Sequence, residues 1–402
     1  MSLIVFAVSE EGLNLLPPGF LTALMEQYGL HPEFERVPAP HEAEELAKHL
    51  APGLWNSAFC TDKRARIGLI IGAYDLALNS PDFTQRHLYP GIDNARLLLF
   101  AYHGQRAIRT MFPGRKLGDM LCSTANAKAA RLCLEKLWPE ALAGIEKRIA
   151  EGEREVSSRH TVLQELTRTG IYAKVYLIDY HGIPAVEKIY RPRYRDRLER
   201  EKVAYSQLAE TVDAIPKALS IDGNSLILPF IRQAAHYDPT GWKLVPVKKI
   251  RQIIAALRQL YDSGYAVIDA HAGNCIFDAD GKLWMIDFEF LHRYAERPES
   301  FWQSFDIAGI PPNFAGATPP GSPPYLTRPW LESFGFPPQA IDNDTAVSIH
   351  LRRLVYWAGR KMPAYGYRKA RTGVRFALAV VCLLLRHFSP SSARPIRIEM
   401  RP

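Results

Sequence analysis

The sequence has no hydrophobic run long enough to cross a bilayer. Its longest uninterrupted apolar segment, Phe376–Leu385, has ten residues, about half of the ~20 that a membrane-spanning helix needs. We therefore expect a core helix there, although the surrounding basic residues leave open a helix lying on an anionic membrane surface. The apolar run Leu3–Val8 has no basic residue before it and is followed by Glu10 and Glu11, so no signal peptide is expected.

Cysteine is scarce as well. The cysteines are odd in number and include no C-x-x-C pair, which predicts neither a disulfide framework nor a zinc site. We therefore expect a reducing compartment and a cytoplasmic protein, with peripheral attachment to the inner face of the cytoplasmic membrane as an option. The five residues are Cys60, Cys122, Cys133, Cys275 and Cys382.

The sequence also lacks the low hydrophobicity and the extreme charge of a disordered chain. Of its 402 residues, 47% are hydrophobic and 23% are charged, which predicts a globular protein of about two domains. The net charge of +8 and the isoelectric point near 9.1 are compatible with anionic ligands. No nucleic-acid-binding motif accompanies this charge, and we expect no nucleic-acid partner.

Residues 1–155 are expected to form a mainly helical domain. Strands are predicted at Leu3–Ser9 and Phe34–Val37, and the mixed charges of Glu146–Arg159 predict a solvated helical face that ends the domain. Apolar spacing predicts helices at Phe20–Tyr28, Glu42–Leu50, Lys63–Leu78, Ala95–Met111 and Ala125–Glu151. This part of the sequence contains no nucleophile elbow, phosphate loop or metal-ligand cluster, and it does not indicate what the domain does.

After Gln164 the sequence changes to short alternating runs. Ala173–Asp179 and Ala185–Tyr190 are rich in β-forming residues and flank a turn, which predicts a hairpin. Alternation places Lys188 on one face of the second strand. A lysine that faces an interior cleft needs an acidic partner, whereas the alternative is that Lys188 is an ordinary exposed strand residue.

An acidic partner is available thirteen residues further along the chain. Glu201 lies on a predicted helix, Arg195–Ala209, and we expect it to form an ion pair with Lys188. Glu199 is the competing partner, but it lies on a different face of the same helix.

The most informative stretch runs from Val267 to Phe290. Asp269 precedes Asn274 by five residues, and Asn274 precedes Asp287 by thirteen. Carboxylate and amide oxygens suit Mg²⁺, and a further carboxylate can orient a hydroxyl and accept its proton. The alternative is that Asp269 and Asn274 are ordinary turn residues.

Two predicted elements favour the chemical interpretation of this stretch. Cys275–Phe277 and Leu283–Ile286 predict a hairpin that holds the last two polar residues together. The helix predicted over Ile250–Tyr261 places an apolar stripe beneath the loop and ends at Ser263-Gly264.

With these residues in view, residues 164–310 resemble the protein-kinase-like superfamily, in particular its bacterial aminoglycoside-phosphotransferase and lipopolysaccharide-kinase branches. The resemblance implies an α+β, bilobal fold after the first domain, with a β-rich lobe at 160–232 and a helical lobe at 233–402. It implies that the cofactors ATP and Mg²⁺ bind between the lobes.

The resemblance also implies roles for individual residues. Lys188 would bind phosphate and Glu201 would anchor it. Asp269 would be the catalytic base, and Asn274 and Asp287 would hold Mg²⁺.

The remaining nucleotide contacts follow from the same resemblance. Leu226–Ile231 is similar to the strand and hinge that bind adenine, and we expect Leu228, Phe230 and Ile231 to line the nucleotide site. Pro229 has no N–H to donate, which favours Phe230 and Ile231 as the backbone contacts.

The sequence departs from a typical protein kinase at several positions. Gly170 is the single glycine of the nucleotide-covering loop, so backbone cradling of phosphate would be less complete. Val267 replaces the usual histidine, and His271 could donate to the γ-phosphate or merely pack. Glu289 stands where the glycine of Asp-Phe-Gly is usual; it could bind a second Mg²⁺, but we expect it to point into the helical lobe.

The spacing after Asp287 bears on the acceptor. Asp306 follows nineteen residues later, which is similar to the small-molecule kinases and leaves no room for a long activation segment. Pro311–Pro329 is a candidate substrate loop.

We therefore expect an ATP- and Mg²⁺-dependent phosphotransferase acting on a hydroxyl. The favoured acceptor is a sugar of a bacterial envelope glycan or another small molecule, and the alternative is a protein Ser/Thr side chain. A nucleotide-binding pseudokinase that acts as an interaction module is the alternative of another class.

Overall fold

The computed structural model describes residues 2–50, 66–76, 80–89, 91–167, 170–234, 244–311, 313–319, 329–362 and 366. These residues fall into two compact units. The first contains residues 2–155 together with 170–171, and the second contains 156–167 and 172–366 as far as they are described. Both helices and antiparallel sheets are present, so the α+β class is confirmed.

The first unit is built on a four-stranded antiparallel sheet. Its strands are β1 (Ser2–Ser9), β2 (His31–Arg36), β3 (Ile67–Asp75) and β4 (Leu121–Ser123), in the order β2-β3-β1-β4. Every residue of β1 is buried, because this apolar strand lies in the interior of the sheet. The hydrophobic core of the unit forms around it.

Helices pack around this sheet, and several begin at side-chain caps. Ser9 accepts a hydrogen bond from the Gly12 amide, and Asn126 accepts one from the Ala129 amide, which satisfies amides that have no partner inside the helix. The helices are α1 (Glu10–Leu15), α2 (Phe20–Gln27), α3 (Pro40–Ala47), α4 (Phe83–Leu88), α5 (Ala95–Met111), α6 (Ala127–Leu137) and α7 (Pro139–Arg154).

Three expectations for this unit were wrong. The predicted helix Lys63–Leu78 overlaps β3, which is a strand. The predicted helix Ala125–Glu151 is two helices, α6 and α7, because Pro139 cannot continue the hydrogen bonding of α6 and instead starts the next helix. Cys122 is disulfide-bonded, which the cysteine pattern did not indicate and which is uncommon in a reducing compartment.

The second unit contains a five-stranded antiparallel sheet. Its strands are β5 (Thr161–Glu165), β6 (Ala173–Tyr180), β7 (Ile183–Tyr190), β8 (Ser220–Asp222) and β9 (Ser225–Pro229), in the order β5-β6-β7-β9-β8. The predicted hairpin is confirmed as β6 and β7, joined by His181 and Gly182 with φ of 55° and 84°. Two consecutive positive φ angles match the right-handed twist of a tight hairpin.

After the sheet the second unit is mostly helical, with short hairpins between the helices. The described helices are α8 (Arg195–Lys202), α9 (Val247–Asp262), α10 (Phe305–Ala308), α11 (Pro329–Phe334), α12 (Ala340–Asn343) and α13 (Ala346–Tyr356). The short strands are β10 (Tyr265–Ala266), β11 (Cys275–Phe277), β12 (Leu283–Met285) and β13 (His292–Arg293). The predicted pairing of β11 with β12 is confirmed.

The largest core of the second unit lies around α9. Ile250, Ile253, Leu257 and Tyr261 are buried on one side of this helix, as the apolar spacing predicts. The helix ends as expected, with Gly264 at φ 86°. The core helix expected at Phe376–Leu385 lies outside the described residues. Among the helices that are described, none has the length and apolar character needed to cross a bilayer.

Candidate functional site

Lys188 lies near the middle of the five-stranded sheet. It is on β7, where its Cα faces Val175 of β6 on one side and Leu226 of β9 on the other. The Nζ atom is 2.8 Å from Glu201 Oε1 and 3.2 Å from Asp287 Oδ1. The Lys188 side chain is only 11% exposed, so the alternative of an ordinary surface lysine is wrong.

Several charges act on the Lys188 ammonium. Burial has the largest single influence and lowers the pKa, but the carboxylates of Asp287 and Glu201 outweigh it. The pKa of Lys188 is therefore raised well above its usual value, and the side chain remains a cation at neutral pH.

Glu201 connects three parts of the second unit. It is fully buried on α8, and Oε1 accepts hydrogen bonds from Lys188 and from the Phe288 amide at 2.8 and 3.0 Å. Its Oε2 accepts one from the Tyr190 hydroxyl at 2.7 Å. The predicted Lys188–Glu201 ion pair is confirmed. Glu199 instead forms exposed pairs with Lys202 and Arg195.

The helix that carries Glu201 changes its winding directly afterwards. Val203–Gln207 forms a π-helical turn, and Leu208–Glu210 a 3₁₀ turn. Tyr205, in the π turn, is buried, and its hydroxyl accepts the Asp287 amide at 3.1 Å. Such insertions occur often at functional sites.

Asp287 adopts an unusual backbone conformation. Its φ is 69°, in the left-handed region that Asp tolerates better than most residues. Its side chain is 43% exposed although it is bonded to the buried Lys188. A carboxylate in this position is open to a further ligand.

Glu289 faces the sheet and α8, so the expectation that it points into the helical lobe was wrong. Its Oε1 is 3.6 Å from Lys188 Nζ and 3.2 Å from the Tyr190 hydroxyl. Its Oε2 is 3.8 Å from Arg197. Burial is the main reason that the pKa of Glu289 is raised to about 7.

Tyr190 has one hydroxyl proton, but its oxygen lies within hydrogen-bond distance of two carboxylates. If the proton is donated to Glu201, the contact with Glu289 requires a proton on Glu289. The raised pKa of Glu289 is consistent with that arrangement.

Arg197 holds the other side of Glu289. Its guanidinium lies 3.6 Å from the ring centre of Tyr172 and 4.5 Å from that of Phe290. Stacking between two aromatic rings fixes the direction of the guanidinium. The Glu289 carboxyl thus lies between two cations, Arg197 and Lys188.

The loop that carries Asp269 is held in a strained conformation. Ile268 has a φ of 66°, which is a true outlier for a β-branched residue. Buried Asp306 supports it: Oδ1 accepts the amides of Val267 and Ile268 at 2.9 and 3.0 Å. Burial raises the pKa of Asp306 to about 6, against the opposing effect of these two amides.

The side chains after Ile268 are tied to one another. Asn274 Nδ2 donates to the Asp269 carbonyl at 3.1 Å, which leaves its amide oxygen as the atom suited to a cation. His271 Nδ1 accepts the Gly273 amide at 3.0 Å, and Nε2 is 4.0 Å from Asp269 Oδ1. Burial lowers the pKa of His271.

The Asp269 carboxyl is a weaker acid than usual, because it is desolvated and lies near other carboxylates. Burial, followed by Asp287 and Glu289, raises its pKa to about 7. Its carboxylate is 24% exposed. The group is therefore accessible, and it lies within electrostatic reach of the Lys188 cluster.

Among the described residues, acidic groups outnumber basic ones at this site. The carboxyls of Glu201, Asp287 and Glu289 lie 2.8, 3.2 and 3.6 Å from Lys188 Nζ, and Asp287 and Glu289 act on the carboxyl of Asp269. The pKa values of Asp269 and Glu289 are both raised to about 7, and a further cation would favour the charged form of each.

The described residues of this site suit a Mg²⁺ ion that also binds water and phosphate, rather than an ion that is held by protein ligands alone. In the described part of the chain there is no group of three or more His, Cys, Asp or Glu side chains that could hold a metal. Mg²⁺ in nucleotide sites takes one or two protein oxygens and completes its shell with water and phosphate. Asp287 has a partly exposed carboxylate and Asn274 an amide oxygen, which are atoms of the type that such a site uses.

The residues expected to line the nucleotide site are only partly placed. Leu228 is buried on β9, which pairs with β7, and Phe230 follows that strand with 40% of its surface exposed. Ile231 is described without regular structure. Gly170 groups with the first unit, and β6 with the second. In the candidate substrate loop, Pro312 and residues 320–328 lie outside the described residues.

Sequence reasoning missed three residues of the site. Tyr190 is two positions from Lys188 on a strand, and Arg197 and Tyr205 are each four positions from Glu201 on a helix. Those spacings place each of them on the same face as its neighbour. Strand and helix periodicity therefore carried the signal for all three residues.

Comparison with known sequences assigns no family to this chain. The sequence matches no protein-family model, and a search of curated proteins finds no significant match.

Proposed function

We propose that this protein is an ATP- and Mg²⁺-dependent phosphotransferase whose second unit has a bilobal, kinase-like arrangement. The observation that carries the proposal is the position of Lys188 Nζ, 2.8 Å from Glu201 and 3.2 Å from Asp287. A buried lysine held by one enclosed carboxylate and one accessible carboxylate suits a triphosphate with its metal.

In this proposal each residue of the cluster has a distinct task. Lys188 binds phosphate oxygens, and Glu201 fixes the direction of its ammonium group. Asp287 and Asn274 would hold Mg²⁺, which when bound neutralises charge on the phosphate groups. The excess of carboxylates around Lys188 supports the need for that cation.

Asp269 is the proposed general base. Its accessible carboxylate would orient the acceptor hydroxyl and accept its proton as the hydroxyl oxygen bonds to phosphorus. His271 remains open between two roles, donation to the γ-phosphate and packing; its Nε2 position 4.0 Å from Asp269 Oδ1 is compatible with either.

The favoured acceptor is a sugar hydroxyl of an envelope glycan or another small molecule. Asp306, nineteen residues after Asp287, already binds the backbone of the Asp269 loop. The intervening segment is too short to act as a long, separately ordered activation loop, which favours a small acceptor over a protein. A protein hydroxyl is the second candidate.

The proposal is tested by following phosphate from ATP labelled at the γ-position. Cell extract separated into glycan, small-molecule and protein fractions is incubated with the wild-type protein and with Asp269→Asn. We expect label in the glycan or small-molecule fraction, and a loss of ~10² or more in rate for the variant. Label confined to protein would reverse the choice of acceptor, and absence of transfer to all fractions would contradict phosphotransferase activity.

A further inference from the structure

Tyr172 lies directly before β6, and three contacts hold it in place. Its carbonyl accepts the Arg191 amide at 2.9 Å. The central carbon of the Arg197 guanidinium lies 3.6 Å from the centre of its ring, and the Tyr194 ring meets it edge-on with a distance of 5.0 Å between ring centres. Stacking and edge contacts of this kind favour one orientation of a ring. The Tyr172 hydroxyl is therefore presented in a set direction.

The hydroxyl of this ring is available to a ligand. Tyr172 is half-buried, and among the described residues its hydroxyl has no hydrogen-bond partner. The neighbouring tyrosines of the site differ, because the Tyr190 hydroxyl donates to Glu201 and the Tyr205 hydroxyl accepts the Asp287 amide. Tyrosine hydroxyls that leave bulk water usually find such a partner. A bound molecule can supply the one that Tyr172 lacks.

Tyr172 is also close to the proposed general base. Arg197 connects it to Glu289, whose Oε2 is 3.8 Å from the guanidinium, and Glu289 acts in turn on Asp269. Burial is the main cause that raises the pKa of Tyr172 to about 12, and Glu289 and Asp269 raise it further against the opposing effect of Arg197. The hydroxyl therefore keeps its proton at neutral pH and lies within electrostatic reach of the Asp269 carboxyl.

We propose that Tyr172 binds the acceptor, donating a hydrogen bond to a second oxygen of the molecule whose reacting hydroxyl lies at Asp269. The inference rests on the proposed phosphotransferase function and narrows the acceptor to a polyol such as a sugar. A sugar carries oxygens on neighbouring carbons, whereas a serine or threonine side chain has a single oxygen. A site that hydrogen-bonds a substrate oxygen discriminates against molecules that lack it.

The test compares two variants that each remove one tyrosine hydroxyl. Tyr172→Phe keeps the ring that stacks on Arg197. Its matched control is Tyr180→Phe, at the other end of β6, where the ring packs against a separate core cluster. The Tyr180 hydroxyl is likewise without a hydrogen-bond partner in the part of the chain that the structure describes.

Three quantities are measured on the full chain. They are the transfer of label from γ-labelled ATP to the glycan and small-molecule fractions of cell extract, the hydrolysis of ATP without those fractions, and the increase in Tm with Mg·ATP. In hydrolysis, water attacks the γ-phosphorus in place of the acceptor, the bond from phosphorus to the bridging oxygen of ADP breaks, and Asp269 receives the proton. Hydrolysis and the increase in Tm therefore report the nucleotide site without the acceptor.

For Tyr172→Phe we expect the amount of fraction that gives half-maximal transfer to rise about tenfold, because one hydrogen bond to the acceptor is lost. The ratio of transfer to hydrolysis should fall by a similar factor, and the increase in Tm should remain. Tyr180→Phe should match the wild type in all three measurements.

Equal effects in Tyr172→Phe and Tyr180→Phe, or an unchanged half-maximal amount in Tyr172→Phe, would overturn the role of Tyr172 alone. Loss of the increase in Tm in Tyr172→Phe would also overturn it, since the hydroxyl would then serve the nucleotide. A wild-type protein that neither hydrolyses ATP nor transfers label would instead contradict the proposed function itself.

Discussion

At the scale of single residues, the site depends on an uneven distribution of charge. Lys188 is bonded to two carboxylates and lies 3.6 Å from a third. Burying charges is unfavourable unless each has a partner with good geometry. Glu201 satisfies this condition completely, since both of its oxygens accept hydrogen bonds. Asp287 does not depend on Lys188 alone, because it also reaches solvent.

Replacing Glu201 with Gln tests this difference. The variant keeps the shape but removes the charge that balances Lys188, and we expect a loss of at least about 2 kcal/mol in the free energy of unfolding. Glu199→Gln is the matched control on the same helix, where the pairs are exposed and little change is expected. Urea denaturation measures both; similar losses in the two variants would contradict the special role of Glu201.

Sequence periodicity predicted Lys188 and Glu201 because each belongs to a regular element. It failed for Glu289, which follows the strand β12 in irregular structure, where the direction of a side chain is set by its tertiary neighbours. Arg197 and Tyr190 fix that direction, and their approach could not be deduced from spacing along the chain.

At the scale of elements, the Asp269 loop is strained and braced. A β-branched residue at positive φ costs on the order of 1–3 kcal/mol, and it persists only where its surroundings hold it. The Asp306 carboxylate does so by accepting two consecutive amides. The brace and the strained loop therefore form one structural unit that positions Asp269.

Two substitutions at Asp306 distinguish its role as a hydrogen-bond acceptor from its role as a charged group. Asp306→Ala leaves both amides without their acceptor, and we expect a loss of about 2–4 kcal/mol in the free energy of unfolding. Asp306→Asn retains an oxygen for both amides and should lose less. Hydrogen exchange at Val267 and Ile268 should accelerate strongly only in the Ala variant; unchanged exchange there would contradict the bracing role.

The buried carboxyl of Asp306 also predicts that the stability of the protein depends on pH. The pKa of Asp306 is raised from 3.8 to about 6 by burial, so the folded protein holds a proton that the unfolded chain releases. Stability from this group is greatest below pH ~4 and is lost as the pH rises through ~6. As the pH rises from ~4 to ~6, the free energy of unfolding of Asp306→Asn should increase by on the order of 2 kcal/mol relative to that of the wild type. A difference that does not change with pH would contradict the raised pKa.

The π turn after α8 is the second element that shapes the site. Tyr205 lies in it and accepts the Asp287 amide. Tyr205→Phe removes that acceptor and should cost about 1–2 kcal/mol of unfolding free energy, because the part-buried Asp287 amide loses its partner. Tyr102→Phe, at a residue that is 52% exposed, is the control. Equal stability of the two variants by thermal or urea unfolding would show that the hydroxyl does not support Asp287.

The elements of the second unit followed their local signals, whereas one strand of the first did not. The hairpin β6–β7 and the helix α9 have clear periods and turn residues. Ile67–Asp75 is nearly continuous in apolar residues, and such a run has no period that separates a buried strand from a helix. Its pairing with β1 and β2 settles the choice, which only the tertiary structure provides.

At the scale of the whole molecule, the candidate site lies within the second unit, and the basic charge is concentrated near the end of the sequence. Outside Ala346–Ile398 the acidic residues slightly outnumber the basic ones, 42 against 39. The overall isoelectric point thus gave no guide to the site, which is itself rich in carboxylates.

The α+β class was implied by the resemblance. The sequence itself predicted the short hairpins from local patterns, and the ion pair from the faces of the strand and the helix that carry its two residues. It did not predict the four-stranded sheet of the first unit or the bonded state of Cys122, since both depend on contacts between distant segments. The strain at Ile268 was equally hidden, because its cause, Asp306, lies thirty-eight residues away.

The most direct test of the central claim is thermal unfolding of the full chain with and without Mg·ATP. Binding to the Lys188 cluster predicts a higher Tm, equivalent to about 2.7 kcal/mol at a ligand concentration ~100 times Kd. Asp287→Ala should abolish this increase, and Asp269→Ala should retain it. A wild-type Tm that does not respond to Mg·ATP, or an equal increase in Asp287→Ala, would contradict a nucleotide site at Lys188 and Asp287.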